Sequence, residues 1–293
     1  MRLSIKLTIA MSLVAGIFYV PVGSAVADQI AFAVDDTENL FSVDLTTATA
    51  TPIGYTGQFL EGLAISPTGS LFGTDYLGNL YSVNKTTGAT TLIGYTGLGD
   101  IEGLGFRGAT LIGTDFSNLG GPTTVSAINT TTAAPTTITS FSQGPVRAMA
   151  LLNTNTIDVA SDTPVSQSLV QVNLLTGTNL NLGQLPSNGS AVTGTDLISA
   201  LNFGTDGMLY ALDALGNEFT ISSNGAGTLI GNTGNQDWLD LAMASFAFPA
   251  AADPPGDPPA AAPEPSSMAV LLIAALGLIG VRAWRKSGGS TQS

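Results

Sequence analysis

Apolar residues along this chain come in short runs rather than long stripes. Between residues 31 and 97, AFAV, LFSV, TPIGY, LEGLAIS, LFGT, LYSV and TTLIGY alternate with polar clusters such as DDTEN, DLTT, SPTG and NKTTG. Short runs rich in Val, Ile, Leu, Phe, Tyr and Thr, cut by Gly, Asn, Asp and Pro, predict strands joined by tight turns. No ten-residue stretch of residues 28–248 keeps a helical period, so this body is expected to be all-β.

The pattern also repeats. AFAVDDTENLFSVDLTTATATPIGYTG at 31–57 returns as LFGTDYLGNLYSVNKTTGATTLIGYTG at 71–97, forty residues on and without a gap. MLYALDALGNEFTISSNGAGTLIGNTG at 208–234 is the same unit, and degenerate copies follow LIGTD at 111–115 and IDVASD at 157–162. A period of about forty residues is that of a four-stranded propeller blade. Calling the strands of a unit A to D, A-type strands are expected at 60–66, 101–107, 146–152, 198–203 and 238–243. The body starts on a B strand (30–35) and ends on an A strand. The fold class expected is therefore an all-β, five-bladed β-propeller closed by pairing of its N- and C-terminal strands, which leaves no open sheet edge at the seam. A β-sandwich or β-helix would make the repeats coincidental.

The two ends read as addresses. Residues 1–27 have the form of a signal peptide: Arg2 and Lys6, an apolar run at 7–20, and Ala25-Val26-Ala27 before Asp28. Residues 28–248 form the expected propeller domain, and 249–265, with seven prolines, an extended linker. Residues 266–286 are expected to form a single hydrophobic helix near the lower length for a membrane span, ahead of a short cytoplasmic tail at 287–293. Pro263-Glu264-Pro265, Ser-Ser, an apolar stretch and the basic cluster Arg282, Arg285 and Lys286 resemble the PEP-CTERM sorting signal. The resemblance implies a Gram-negative, exopolysaccharide-producing context. It also implies an inner-membrane intermediate, an exosortase as processing partner, and delivery to the cell surface or beyond.

Composition narrows the chemistry. The chain has no Cys and no His, which removes Ser-His-Asp triads, thiol nucleophiles and imidazole or thiolate zinc sites. The net charge is −13, and residues 28–262 hold 20 acids against three bases, Lys85, Arg107 and Arg147. Nucleic acid and anionic lipid are excluded as partners on this count. Every B strand ends in an aspartate: Asp35, Asp75, Asp115, Asp162 and Asp213. A strand-end Asp caps the next turn, and the position resembles that of the Asp in YWTD-type propeller repeats; the body as a whole resembles YWTD- and NHL-type propellers.

Strand geometry puts most of the body's acids on one face, where Glu61, Glu102, Asp237 and Asp240 are expected near the channel mouth. Carboxylates without His or Cys favour hard cations, Ca2+ first; a merely solvated acidic rim is the alternative, and no cofactor is otherwise implied. The function expected is an exported binding or structural propeller of the envelope or exopolysaccharide matrix, with polysaccharide as a partner. The rival is a Ca2+-dependent propeller hydrolase or lyase with acids in the central channel.

Overall fold

The expected strands form, and each blade closes as one antiparallel sheet, in the computed structural model, which describes residues 29–243 apart from 116–121, 163–165, 187–196 and 236. In chain order they are β1 (Ile30–Asp35), β2 (Asn39–Asp44), β3 (Thr49–Tyr55), β4 (Leu60–Ile65), β5 (Leu71–Asp75), β6 (Asn79–Val83), β7 (Thr90–Tyr95), β8 (Ile101–Arg107), β9 (Thr110–Asp115) and β10 (Thr123–Ile128). They continue as β11 (Pro135–Phe141), β12 (Val146–Asn153), β13 (Thr156–Asp162), β14 (Gln167–Asn173), β15 (Asn179–Gln184), β16 (Ile198–Phe203), β17 (Leu209–Asp213), β18 (Asn217–Ile221), β19 (Gly227–Asn232) and β20 (Trp238–Met243). Four blades use consecutive strands, β4 to β7, β8 to β11, β12 to β15 and β16 to β19; blade 1 is β20-β1-β2-β3. The innermost strands β4, β8, β12, β16 and β20 touch one another in cyclic order. The protein is a five-bladed β-propeller. The signal peptide, linker, hydrophobic segment and tail read from the sequence lie outside the described residues. Among the described residues no helix is long and apolar enough to cross a membrane.

Blade 1 is the seam. β1 and β20 pair antiparallel, from Ala31 opposite Met243 to Asp35 opposite Trp238, so backbone hydrogen bonds join residues some two hundred positions apart. The core lies between blades, where the apolar faces of adjacent sheets meet. One cluster joins Val34 and Leu40 of blade 1 to Leu60, Leu63 and Leu71 of blade 2. Another joins Tyr210 and Leu212 of blade 5 to Val43, Leu45 and Trp238 of blade 1. Trp238 packs edge-on against Phe41 at 5.1 Å and donates its Nε1–H to Thr233 Oγ1 at 3.0 Å, which satisfies its polar tip inside the core.

Two bulges recur in every blade. The outer one sits between the third and fourth strands and adds Ile53, Ile93, Ile138, Leu182 or Ile230. Four of these, Ile53, Ile93, Leu182 and Ile230, pack against the inter-blade clusters. The next glycine in the recurrent phrase I-G-Y-T-G leans on the neighbouring blade. A Cβ on Gly54 would stand 2.2 Å from the carbonyl oxygen of Thr87, in the turn between β6 and β7. The phrase's threonine ties its own blade: Thr56, Thr96 and Thr233 each donate both N–H and Oγ1–H to the carbonyl of Glu38, Gly78 or Gly216. The repeat thus closes each blade through its threonine and fits it to the next through its glycine. It follows that Gly54→Ala destabilises by about 2–3 kcal/mol, since backbone must move. Gly94→Ala, whose Cβ would come no nearer than 3.3 Å to Ala133 Cβ and Thr132 O, costs less than about 1 kcal/mol. Urea titration of the two variants checks the contrast, and equal losses would refute this account.

Candidate functional site

The inner bulge of every blade falls on the second residue of the innermost strand. Register shifts around Leu239, Glu61, Glu102, Arg147 and Ser199 leave each of them as the extra residue. Bulges re-aim side chains and recur beside functional sites. Here they carry two acids and a base, from blades 2, 3 and 4, to one level of the inner ring.

Three carboxylates converge there. Glu61 and Glu102 are joined by Asp100, the residue before β8, and one carboxylate oxygen from each lies within 4.8 Å of the others. All three side chains are half-buried. Glu61 Oε2 and Asp100 Oδ1 are shielded from solvent and find no hydrogen-bond partner. Arg147 reaches the group from blade 4, with Nη1 3.9 Å from Glu102 Oε1 and Nε donating to Asp162 Oδ2 at 2.5 Å. Burial, then Asp100 and Glu102, pushes the Glu61 pKa up to about 9. Burial pushes Glu102 up to about 8 against the pull of Arg147. Asp100 is raised by burial, with a hydrogen bond from Glu61 and then the Arg147 charge working the other way. Three such neighbours cannot all ionise unaided: they keep protons or take a cation.

The other expected rim acids do not join the trio. Asp240 is 1% exposed and accepts the N–H groups of Leu63 at 2.6 Å and Leu241 at 2.8 Å, so it bridges β20 to β4. Burial, partly offset by those donors, lifts its pKa well above the ordinary carboxylate value. Asp237 adopts a left-handed φ of 58° at the seam, where its carbonyl accepts Asp36 N–H and its own N–H donates to Ala214 O. Asp237 holds the position in blade 1 that Asp100 holds in blade 3, but its bulge residue is Leu239 instead of a glutamate. Asp100 is a member of the site outside the expected rim set of Glu61, Glu102, Asp237 and Asp240. Its signal was an acid two residues ahead of a bulge glutamate, a pairing that the bulge alone makes meaningful.

The five repeated aspartates divide. Asp35, Asp75 and Asp213 accept the N–H groups of the residues two and four positions on, as Asx turns do. Asp75 also receives Asn79 Nδ2–H and the Tyr81 hydroxyl. Asp115 accepts Thr124 N–H across the β9–β10 connection, and Asp162 takes Arg147 and Gln167 Nε2–H. Pro263, Glu264, Pro265, Arg282, Arg285 and Lys286 lie outside the described residues.

Comparison with known proteins places the sorting signal and the fold. Residues 261–287 match the PEP-CTERM protein-sorting motif. No curated protein matches the chain. Among solved structures, the crystal structure of a nidogen/laminin complex is similar over 75% of this chain and 82% of that one, at 14% identity and a TM-score of 0.50. A gluconolactonase from Xanthomonas campestris is similar over 71% and 78%, at 12% identity and a TM-score of 0.47. At such identity the first likeness is one of propeller fold alone. The sorting motif implies export, a membrane-anchored intermediate and processing by an exosortase.

Proposed function

We propose that this exported, sorted propeller works by binding in the cell envelope or extracellular matrix, and that Glu61, Asp100 and Glu102 hold a hard cation at its inner mouth. The observation that carries the reading is the trio's spacing together with two shielded oxygens that lack donors. Oxygens on one Ca2+ sit 2.3–2.6 Å from the ion, so no two are farther apart than about 5 Å. Ca2+ takes six to eight oxygens; three carboxylates leave room for hydroxyl or carboxylate oxygens of a polysaccharide. Asp237 and Asp240 support the seam beside the site. In this reading residues 1–27 are the signal peptide, 28–248 the working domain, 249–265 a spacer and 266–286 the sorting segment.

The hydrolase or lyase reading needs two carboxyls flanking a scissile bond, about 5–5.5 Å apart for retention and more for inversion. The pair that reading would use, Glu61 and Glu102, lies within the looser limit of about 10 Å, but each brings an oxygen to within 4.8 Å of the other and of Asp100, a cluster of three carboxylates rather than two set apart across a bond. Binding is the better use of this geometry.

Melting the purified full-length chain in Ca2+ and in EDTA tests the site. Ca2+ at about a hundred times its Kd adds about 2.7 kcal/mol, a rise of about 5–10 °C for a domain of this size. Glu61→Gln and Glu102→Gln lose the rise. An unchanged midpoint in the parent removes the cation and leaves the sorted propeller. Sorting is tested separately: replacing Pro263, Glu264 and Pro265 by alanine is expected to strand a full-length membrane form where the parent yields a shorter one. Identical full-length forms would leave a plain anchor.

A further inference from the structure

The third strands of four blades place an apolar residue at one equivalent position, next to the outer bulge: Leu40, Leu80, Val125 and Leu169, all fully buried. In blade 5 the residue is Glu218, also 0% exposed. Neither of its carboxyl oxygens has a hydrogen-bond partner. The other four blades seal hydrocarbon at this point, and blade 5 seals a titratable group.

Its surroundings belong to the seam. Glu218 stands in register between Leu212 and Gly231. Leu212 packs in the cluster shared with Val43 and Leu45 of blade 1, and the space above Gly231 is closed by Ala48 and Thr47 of the β2–β3 turn. The ionisable groups acting here are Asp44 at the end of β2, Tyr210 on β17, and Asp206, which accepts the Tyr210 hydroxyl. None is basic; Lys85, Arg107 and Arg147 belong to blades 2, 3 and 4. The piece that covers Glu218 is the N-terminal three-stranded strap β1–β3. Backbone pairing fixes it to β20, and Gln29 fixes its start to Thr205 of blade 5 through hydrogen bonds of 2.7 and 2.8 Å.

We propose that Glu218 is a proton-operated latch on the closing seam: neutral, it lies sealed beneath the β2–β3 turn, and ionised, it loosens the strap β1–β3 from blade 5. An unpaired charge has nothing here to replace water, and Asp44 repels it. Burial first and Asp44 second push its pKa up to about 8 from 4.5. A group that holds its proton more tightly when sealed favours the sealed state most in acid. That advantage fades as pH rises, and is gone above about 8.

Hydrogen exchange on the full-length chain tests the latch. After correction for intrinsic rates, protection of β1–β3 amides is expected to fall on the order of tenfold per pH unit between pH 5.5 and 7.5, while β9 and β10 change far less. Glu218→Leu and Glu218→Gln both flatten the β1–β3 profile. A β1–β3 response no steeper than that of β9 and β10, or one that persists in both variants, overturns the proposal. A response centred on β4 and β8 would assign the titration to the mouth carboxyls and overturn it equally. Should neither variant fold, the comparison of strands in the parent chain still decides.

Discussion

Glu218→Leu raises the thermal midpoint of the propeller, and by more at pH 8 than at pH 5. A carboxyl that ionises at about 8 in the folded chain and 4.5 in the unfolded one removes about 4–5 kcal/mol of stability between acid and mild alkali, at 1.36 kcal/mol per pH unit. Leucine abolishes that loss. It is close in volume to glutamate and is the residue that blades 1 and 2 use at the same place, as Leu40 and Leu80, so it fills the site without a cavity. At pH 5 the gain shrinks to about 1–3 kcal/mol, the cost of burying a neutral polar group without a partner. At about 2–4 °C per kcal/mol for a domain of this size, the difference between the two pH values is about 10 °C. Calorimetry on both chains at both pH values checks it. Glu61 and Glu102 also ionise late, so the parent and the variant both gain stability in acid; the difference between them isolates Glu218. An equal gain at pH 5 and pH 8 would mean that Glu218 keeps one charge state throughout.

The architecture was legible because each blade restates the others. A strand pattern that is ambiguous once becomes decisive when five copies agree on where polar turns fall. The innermost strands expected at 101–107, 198–203 and 238–243 have those same limits, and those at 60–66 and 146–152 differ by one residue at one end. The closure of blade 1 followed from counting, since a chain that starts on β1 and ends on β20 supplies one sheet from its two ends. The site was less legible because bulges leave no mark in alternation. An added residue inside a strand looks like any other residue, yet it decides that Glu61, Asp100 and Glu102 converge while Asp240, one position past the bulge residue Leu239, turns into the wall between β20 and β4. Glu218 had a visible signal, a glutamate where aligned repeats have leucine. Its meaning depended on burial, which strand pattern alone assigns to either face.

In the proposed site protons and the cation compete for the same oxygens, so Ca2+ affinity is expected to rise steeply with pH. Glu61 and Glu102 hold protons up to about 9 and 8, and carboxylates bind hard cations only after losing them. Below those values, each proton displaced on binding strengthens the apparent affinity by about tenfold per pH unit. Between pH 6 and 8 the rise is then about a hundredfold if one proton leaves, and larger if two leave. Calorimetric titration in buffers of different ionisation enthalpy counts the protons directly. Glu102→Gln removes one displaced proton and one ligand, which weakens binding and makes its pH profile shallower. Arg147 sets the balance from the other side. Its charge already favours ionised Glu102, 3.9 Å away, so Arg147→Gln moves the whole binding curve to higher pH while leaving the three ligands in place. A flat affinity from pH 6 to 8 would show three carboxylates already ionised in the empty site, a state that their burial and mutual closeness oppose, and would overturn this account of proton competition.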